Sequence, residues 1–294
     1  MASGFSRKAA CSAAAVKTRY LTLAYGDSAD VYSQSAMLLI SLLAHAPASS
    51  ELVVATERTE RFAWFGRTVR LVTLDRRELE VWRGTPPISM RVKLEAIRAN
   101  WPGSGAIVLV DADVLAREPL NSFEAALGSG EVFMHKQEYQ FGRSKRRGNR
   151  ALWNELRGRS FAGWEVRSGD AMWNSGVLAA PAAARGFFDQ MLQFYDAIAA
   201  AGGRHFATEQ LVEGVVLGRT GRLRPAARWF THYWGNKAAH TAAIDTRLAA
   251  ARSERLSVEE CAARYRRDPI DLPDEVRLTA RDKVARWFAR NSRV

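Results

Sequence analysis

The fold is decided by the stretch Ala106-Ile107-Val108-Leu109-Val110-Asp111-Ala112-Asp113-Val114-Leu115. Five apolar residues run without a break into an Asp-x-Asp triplet, and Gly103 and Gly105 precede them. A continuous apolar run of this length is typical of a buried strand in a mostly parallel sheet. Such a sheet binds its ligands beyond the carboxyl ends of its strands, and the two aspartates lie at that end.

The Asp-x-Asp triplet predicts a metal site. Because side chains alternate along an extended chain, Asp111 and Asp113 point the same way and can face one ion. Two oxygen donors with open coordination positions suit Mg²⁺ or Mn²⁺, which retain water and phosphate ligands. The alternative is that these aspartates only end a strand and cap the next turn, where Asp is common.

Length and composition indicate one large domain, or one domain with a C-terminal appendage. The chain has 294 residues, of which 47% are hydrophobic, which suffices for a sizeable core. Its two cysteines, Cys11 and Cys261, are far apart and suggest neither a zinc site nor a disulfide framework, so a reducing cytoplasm is expected. The N-terminal residues lack the apolar stretch of a secretory signal, and the longest apolar run, residues 36–46, is too short to span a membrane.

The net charge of +12, from 43 Lys and Arg against 31 Asp and Glu, favours polyanionic partners such as nucleic acid, anionic lipid or phosphorylated substrates. The excess is concentrated in residues 143–159 and 277–293. Within residues 281–294, an apolar helical face formed by Val284, Trp287 and Phe288 is surrounded by arginines. This pattern predicts contact with an anionic membrane surface, and packing onto the protein is the alternative.

Strands and helices alternate over the first half of the chain. Short β-prone runs at residues 20–25, 52–55 and 69–74 alternate with helical spacing, which follows the first run at residues 31–46 and the third at residues 89–100. This alternation predicts an α/β fold with a mostly parallel central sheet flanked by helices. The chain has neither a Gly-x-Gly-x-x-Gly turn nor a Gly-rich Lys-Ser/Thr loop, which argues against a dinucleotide-binding fold and a P-loop ATPase.

Two motifs further along the chain are candidates for sugar contacts. Asn174-Ser175-Gly176 interrupts an apolar strand, where Asn offers a donor and an acceptor and Gly allows close approach to the backbone. The alternative is a bulge or a tight bend. Glu209 and Gln210 fall in the first turn of a predicted helix, where they could hold hydroxyls or face a reacting carbon, or simply stabilise the helix start.

The last motif is Thr231-His232-Tyr233-Trp234-Gly235-Asn236-Lys237. His232 could supply an imidazole ligand for an ion such as Mn²⁺, and Lys237 could bind phosphate. A structural histidine of the core is the equal alternative for His232. Together with Asp111 and Asp113, these residues suit a divalent ion that bridges a diphosphate, with a sugar beside it.

These four motifs, in this order and spacing, resemble nucleotide-sugar glycosyltransferases, most closely the glycogenin-like and lipopolysaccharide-galactosyltransferase-like retaining family. The resemblance covers residues 18–240. It implies a GT-A (Rossmann-like) fold with a mixed, mostly parallel sheet. It also implies a retaining, metal-dependent hexosyltransferase of polysaccharide or lipopolysaccharide synthesis. Such an enzyme moves a sugar from a UDP-type donor to a hydroxyl of a glycan or lipid-linked acceptor.

The resemblance also implies a set of site residues. Asp111, Asp113 and His232 would hold Mn²⁺, or Mg²⁺, on the nucleoside diphosphate. Gln210, or Glu209, would lie near the anomeric carbon, with Asn174 on the donor sugar. The other residues implied in binding the nucleotide-sugar are Ala24, Tyr25, Tyr32, Arg91, Lys93, Ala112, Ser175, Gly235 and Lys237. Among these, Lys93, with Arg91 as the alternative, would reach the phosphates or the donor sugar.

Three positions differ from the family's usual pattern. Lys237 comes one residue early, Glu209 stands where Asp is usual, and Lys93 stands where Arg is commoner. Retention or inversion at the sugar carbon is therefore left open, as are the sugar, the acceptor and the oligomeric state.

The expected organisation is a flexible N-terminus at residues 1–17, a GT-A domain at residues 18–240 and a helical, basic C-terminal extension at residues 241–294. The expected location is the cytoplasm, with peripheral contact at the inner face of the membrane. A nucleotidyltransferase is one alternative, although residues 26–30 lack the basic Gly-rich loop it would need. A non-enzymatic, basic polyanion-binding protein is the other, and because only the charge supports it, nucleic acid is not an expected partner.

Overall fold

The computed structural model describes residues 17–84, 91–203, 205 and 207–275 of the chain. The strands are β1 Thr18–Ala24, β2 Glu51–Thr56, β3 Arg70–Thr73, β4 Ala106–Val110, β5 Val114–Ala116, β6 Val132–Gln140, β7 Ser160–Phe161, β8 Trp164–Glu165, β9 Ala171–Pro181, β10 Leu223–Pro225 and β11 Phe230–His232. The helices are α1 Ala29–His45, α2 Arg76–Arg83, α3 Arg91–Ala99, α4 Asn121–Gly128, α5 Arg147–Leu156, α6 Arg185–Ala200, α7 Thr208–Gly218, α8 Lys237–Ser253 and α9 Val258–Arg267.

Seven of these strands form one mixed sheet in the order β10-β6-β9-β4-β1-β2-β3. The pairings of β1 with β2 and β4, of β2 with β3 and of β10 with β6 are parallel. Strand β9 is antiparallel to both of its neighbours, β4 and β6. The predicted α/β fold with a mostly parallel central sheet flanked by helices is therefore confirmed.

The sheet separates two hydrophobic cores because successive side chains of a strand point to opposite faces. In β4, Val108 and Val110 pack into the core beneath α1, whereas Ile107 and Leu109 pack into the core formed with α3, α6 and α7. All five residues of β4 are buried. A strand with apolar cover on both faces needs a continuous apolar sequence, and this is the pattern on which the strand prediction depended.

Helices α8 and α9 share the core of the sheet. Ile244 and Leu248 of α8 and Tyr265 of α9 belong to the same buried cluster as α1. A capping box in which Ser257 and Glu260 exchange hydrogen bonds starts α9. Helix α8 begins at Lys237, so it runs across the predicted boundary at residue 240. Residues 1–16 and the predicted membrane-contacting segment at 281–294 lie outside the described residues.

Candidate metal centre

The Asp-Ala-Asp triplet lies at the carboxyl edge of the sheet, directly after β4. Because β1 is parallel to β4, its carboxyl end, Ala24, lies at the same edge. Strand β9 is antiparallel to β4, and the Asn174-Ser175-Gly176 motif precedes the part of β9 that pairs with β4. The motif therefore reaches this edge too. The backbone N–H of Asp111 donates a hydrogen bond of 2.9 Å to the carbonyl oxygen of Gly176. The sheet topology thus brings two motifs together that are 63 residues apart in the chain.

A second pairing brings the histidine to the triplet. Strand β5, which follows Asp113, is antiparallel to β11 and pairs Val114 with His232. One ligand atom from each of Asp111, Asp113 and His232 can be chosen so that all three lie within 4.8 Å of one another. Nε2 of His232 is 3.3 Å from Oδ1 of Asp113. The three side chains are largely buried, with 21%, 13% and 8% of their surfaces exposed for Asp111, Asp113 and His232.

The ring of His232 is oriented by Asn174. Oδ1 of Asn174 accepts a hydrogen bond of 3.0 Å from the backbone N–H of Gly176 and lies 2.7 Å from Nδ1 of His232. An amide oxygen accepts hydrogen bonds, so Nδ1 of His232 carries a proton. In the neutral imidazole Nε2 then has the free lone pair, and Nε2 faces Asp113.

The triplet itself is held by Tyr233. The backbone N–H of Tyr233 donates to the carbonyl oxygen of Asp113 at 3.1 Å, and its hydroxyl donates to the carbonyl oxygen of Ala112 at 3.4 Å. The buried ring of His240 stacks on the Tyr233 ring, with 4.2 Å between centroids. Backbone and ring contacts thus fix the turn that presents both carboxylates.

Two lysines neutralise the aspartates. Nζ of Lys93, on α3, lies 2.8 Å from Oδ2 of Asp111, and Nζ of Lys237, the first residue of α8, lies 2.9 Å from Oδ2 of Asp113. Burial opposes the charge on Lys93, but Asp111 and Glu209 outweigh it and raise the pKa of Lys93 above its usual range. Burial likewise opposes the charge on Asp113, but, in its protonated form, His232 holds the pKa of the Asp113 carboxyl well below its usual value, and the charge of Lys237 lowers it further. Asp113 and Lys93 are therefore both charged at neutral pH.

Behind Lys93, helix α7 carries two fully buried acidic residues. Glu209 and Glu213 stand one helical turn apart, and both are 0% exposed. Oε1 of Glu209 is 3.4 Å from Nζ of Lys93. Burial raises the pKa of Glu209, and Lys93 opposes this rise. Burial and then the neighbouring Glu209 raise the pKa of Glu213 well above its usual value.

The chemistry of the donor set suits a small divalent ion. Ligands about 2.1 Å from an octahedral ion lie roughly 3 to 4.2 Å apart, and the 3.3 Å between His232 and Asp113 is in this range. The lone pair on Nε2 of His232 and the carboxylate of Asp113 are both acceptors, so a cation between them would satisfy both. Two carboxylates and one imidazole suit Mn²⁺ or Mg²⁺ better than a soft, thiolate-binding metal.

A cleft of about 380 Å³ opens beside these groups. Its walls are formed by Leu23, Tyr25, Val31, Lys93, Leu109, Val110, Asp111, Ala112, Asp113 and Lys237. Six of the predicted site residues are thus brought to one cleft, with both lysines and both aspartates among them. Tyr25 is half-buried, and burial raises the pKa of its hydroxyl, so its ring presents a neutral surface to the cleft.

Other predicted residues lie around this cleft without lining it. Ala24 and Ser175 are buried in their strands. Tyr32 is buried on α1, and its hydroxyl donates to the carbonyl oxygen of Gly26 at 2.8 Å. Arg91 forms ion pairs with Asp196 at 2.8 Å and Glu95 at 2.7 Å. Of the two basic candidates on α3, Lys93 is therefore the one that faces Asp111.

The remaining predicted residues differ in how closely they approach the aspartates. Glu209 reaches the site only through Lys93. Gln210 is half-buried, and within the described part of the chain it makes no hydrogen bond or ion pair. Gly235 forms an isolated bridge with Glu275, and a Cβ atom on Gly235 would lie 2.7 Å from Cγ of Glu275. The group whose close approach Gly235 permits is therefore Glu275 of the same chain.

Sequence reasoning missed Glu213, Tyr233 and His135. Helical spacing from Glu209 could have suggested Glu213, because residues four apart share a face. His135 lies edge-on to His232, with 5.4 Å between ring centroids, and burial lowers its pKa to about 3, so it stays neutral. The sequence gives no signal for His135, because its place beside His232 depends on the sheet order.

No protein-family model matches the chain, and a search of curated proteins found no match. Among the helices of the described residues, none has both the length and the apolar character of a membrane span.

Proposed function

We propose that this chain is a metal-dependent glycosyltransferase of the GT-A fold, similar to the glycogenin-like and lipopolysaccharide-galactosyltransferase-like family. It would move a sugar from a UDP-type donor to a hydroxyl of a glycan or lipid-linked acceptor. One observation carries the proposal: Asp111, Asp113 and His232 converge at the sheet edge, beside a cleft that Lys93 and Lys237 also line. This combination of two carboxylates, one imidazole and two lysine cations suits a diphosphate bound to a divalent ion.

In this proposal the two aspartates and His232 hold Mn²⁺ or Mg²⁺. When bound, the ion neutralises the charge that develops on the departing diphosphate. Lys237, whose side chain is half exposed, donates to a phosphate oxygen. Tyr25 forms the wall against which the nucleobase lies.

The proposal gives the buried residues supporting roles. Lys93 holds Asp111 in place through their ion pair, and Glu209 holds Lys93 from behind. Asn174 fixes the ring of His232. Gln210 remains the candidate for the group nearest the anomeric carbon. The cytoplasm, where UDP-sugars are made, is the proposed location.

The test is UDP binding by isothermal titration calorimetry, with and without Mn²⁺. We expect tight binding only with the ion, and we expect Asp113→Asn to lose the ion-dependent part. Asp245→Asn, an exposed aspartate of α8, is the matched control and should bind like the wild type. UDP binding that is equally tight without an ion, or unchanged in Asp113→Asn, would overturn the proposal.

If binding is metal-dependent, a thermal-shift screen of nucleoside-diphosphate sugars with Mn²⁺ identifies the donor. A ligand that binds only the folded protein at about 100 times its Kd stabilises it by about 2.7 kcal/mol, enough to rank the candidates.

A further inference from the structure

A second, larger cleft of about 650 Å³ has Trp234 in its wall, and Lys237, further along the same segment, lines the first cleft. The walls of the second cleft include Lys136, Tyr139, Arg143, Lys145, Arg146 and Trp234. We propose that this cleft binds the acceptor, and that the acceptor is a saccharide carrying negative charge. This inference rests on the proposed function, because only a transferase has an acceptor. The binding of an anionic saccharide can be tested separately.

The charge of the cleft points to an anion. Arg143, Lys145 and Arg146 are exposed, and none of them forms a salt bridge with any described residue. Lys136 has only a long ion pair, 3.7 Å, with Glu275. Elsewhere many surface arginines are paired with carboxylates, such as Arg264 with Glu254. Cations that converge on a concave surface without partners attract an anionic ligand.

The loop that carries these cations is firmly attached. Phe141 is buried, and its ring packs edge-on against Trp153. The backbone N–H groups of Phe141 and Gly142 donate to the carbonyl oxygens of Asp170 and Ser168, at 2.8 and 3.3 Å. The hydroxyl oxygen of Ser144 accepts from the side chain of Asn149 at 3.0 Å. A cleft wall fixed in this way loses little conformational entropy when a ligand binds.

The cleft also offers an aromatic face for a sugar ring. Trp234 is 46% exposed, although its neighbours Tyr233 and His232 are buried. An exposed indole beside polar groups is typical of a recognition surface, because it combines apolar area with an N–H donor. Tyr139 is half-buried in the same cleft, and burial raises the pKa of its hydroxyl to about 12, so it stays protonated.

The position of the cleft places a bound saccharide next to the reaction. Glu138, another residue of its wall, accepts a hydrogen bond of 3.3 Å from Nδ2 of Asn174. Asn174 in turn contacts His232, and His232 contacts Asp113. Two side-chain contacts therefore separate this wall from His232, one of the proposed metal ligands. A hydroxyl of a saccharide on Trp234 would be close to a donor bound at Asp113.

The experiment measures saccharide binding to the full chain by calorimetry in about 150 mM salt, where long-range attraction is screened. The probes are trigalacturonic acid, mannose 6-phosphate and the uncharged sugars galactose and mannose, so carboxylate and phosphate are tested separately. The variants are Lys145→Gln/Arg146→Gln and Trp234→Ala. The control, Arg76→Gln/Arg77→Gln, removes the same charge from exposed positions on α2.

We expect at least one anionic probe to bind more tightly than its uncharged counterpart. The loss of Lys145 and Arg146 should weaken that binding about tenfold, and Trp234→Ala should weaken it as well. The control should change it by less than about twofold. Equal weakening in the control would show that the net charge of the chain, not the cleft, attracts the anion. No preference for the charged probes would also overturn the inference.

UDP binding with Mn²⁺, measured in the same variants, separates the two proposals. If UDP and Mn²⁺ bind but no anionic saccharide does, only the acceptor inference fails. If an anionic saccharide binds in the cleft but UDP does not bind with Mn²⁺, the glycosyltransferase proposal fails and the saccharide site remains.

Discussion

Gly176 and His232 are in such close contact that no side chain fits between them. A Cβ atom built on Gly176 would lie 2.3 Å from Nδ1 and 2.8 Å from Cγ of the imidazole. The sequence motif predicts that this glycine lets a ligand approach the backbone. The group that approaches it is instead the candidate metal ligand. Gly176 thus makes room for the ring that Asn174, two residues earlier, orients.

Gly176→Ala should displace His232 and weaken metal binding. Because the clash involves a buried ring, we also expect a stability loss of about 1–3 kcal/mol, as is usual for overpacking. Mn²⁺ titration followed by electron paramagnetic resonance and urea unfolding measure the two effects. Gly186→Ala, on α6 with open space around its Cα, is the control and should be neutral or slightly stabilising. A Gly176→Ala protein with unchanged Mn²⁺ affinity would contradict the role of His232.

Asn174→Ala should lower Mn²⁺ affinity by about 10- to 100-fold, the usual effect of removing a partner that orients a histidine ligand. Without the amide oxygen, Nδ1 of His232 loses its acceptor and the ring is free to turn. The measurement is the Kd for Mn²⁺ alone. The control is Asn100→Ala, which removes another buried amide. Nδ2 of Asn100 donates to the carbonyl oxygen of Ala96 at 3.0 Å, near the C-terminal end of α3. An equal loss of affinity in both variants would indicate general destabilisation rather than loss of orientation.

Lys237→Ala should separate metal binding from nucleotide binding. Lys237 competes with a cation for Asp113, so its removal should leave the affinity for Mn²⁺ alone unchanged or higher. The affinity for UDP with Mn²⁺ should fall about tenfold, because a phosphate loses a charged donor. Calorimetry with each ligand measures both constants. If both affinities fell together, Lys237 would be a structural partner of Asp113 and not a phosphate ligand.

Glu213→Gln should remove a pH dependence of stability. The raised pKa means that the folded chain binds this proton more tightly than the unfolded chain does. The associated stability is fully present below the unfolded pKa, about 4.5, and is lost as the pH rises towards the folded pKa. The variant cannot ionise, so its advantage over the wild type should grow by up to about 1.4 kcal/mol per pH unit in that window.

The measurement for Glu213→Gln is urea unfolding at several pH values between 5 and 8. Glu80→Gln, an exposed residue of α2, provides the matched control. A difference between Glu213→Gln and the wild type that stays constant over this range would contradict the raised pKa of Glu213.

The sequence predicts most of the sheet and the position of the candidate metal centre on it. The apolar run before Asp111 gives β4, and the helical spacing at residues 31–46 gives α1, Ala29–His45. These patterns suffice because β4 is covered on both faces and α1 buries most of its residues. The direction of β9 cannot be predicted from its own residues, because it depends on which strands flank it.

The interior of the site is harder to predict than its motifs. Asn174 is expected on a donor sugar, yet both of its polar side-chain atoms bond protein groups, Glu138, Gly176 and His232. The charge network of Lys93 with Asp111 and Glu209 joins α3, β4 and α7. Tertiary packing pairs these groups, and no local spacing in the sequence predicts the pairing. Helix α2 is likewise missing from the prediction, because its short, charged sequence buries only Leu79 and Trp82.

Helix α9 ties the end of the described chain to its middle. The hydroxyl of Tyr265 donates to the carbonyl oxygen of Ala116 in β5, and the guanidinium of Arg266 donates to the carbonyl oxygen of Ala44 in α1. Strand β5 continues directly from the Asp-Ala-Asp turn. Amide hydrogen exchange should therefore slow in α1, β5 and α9 as one cooperative unit. A chain shortened to residue 240 would lose this unit and, with it, the support on which the two aspartates rest.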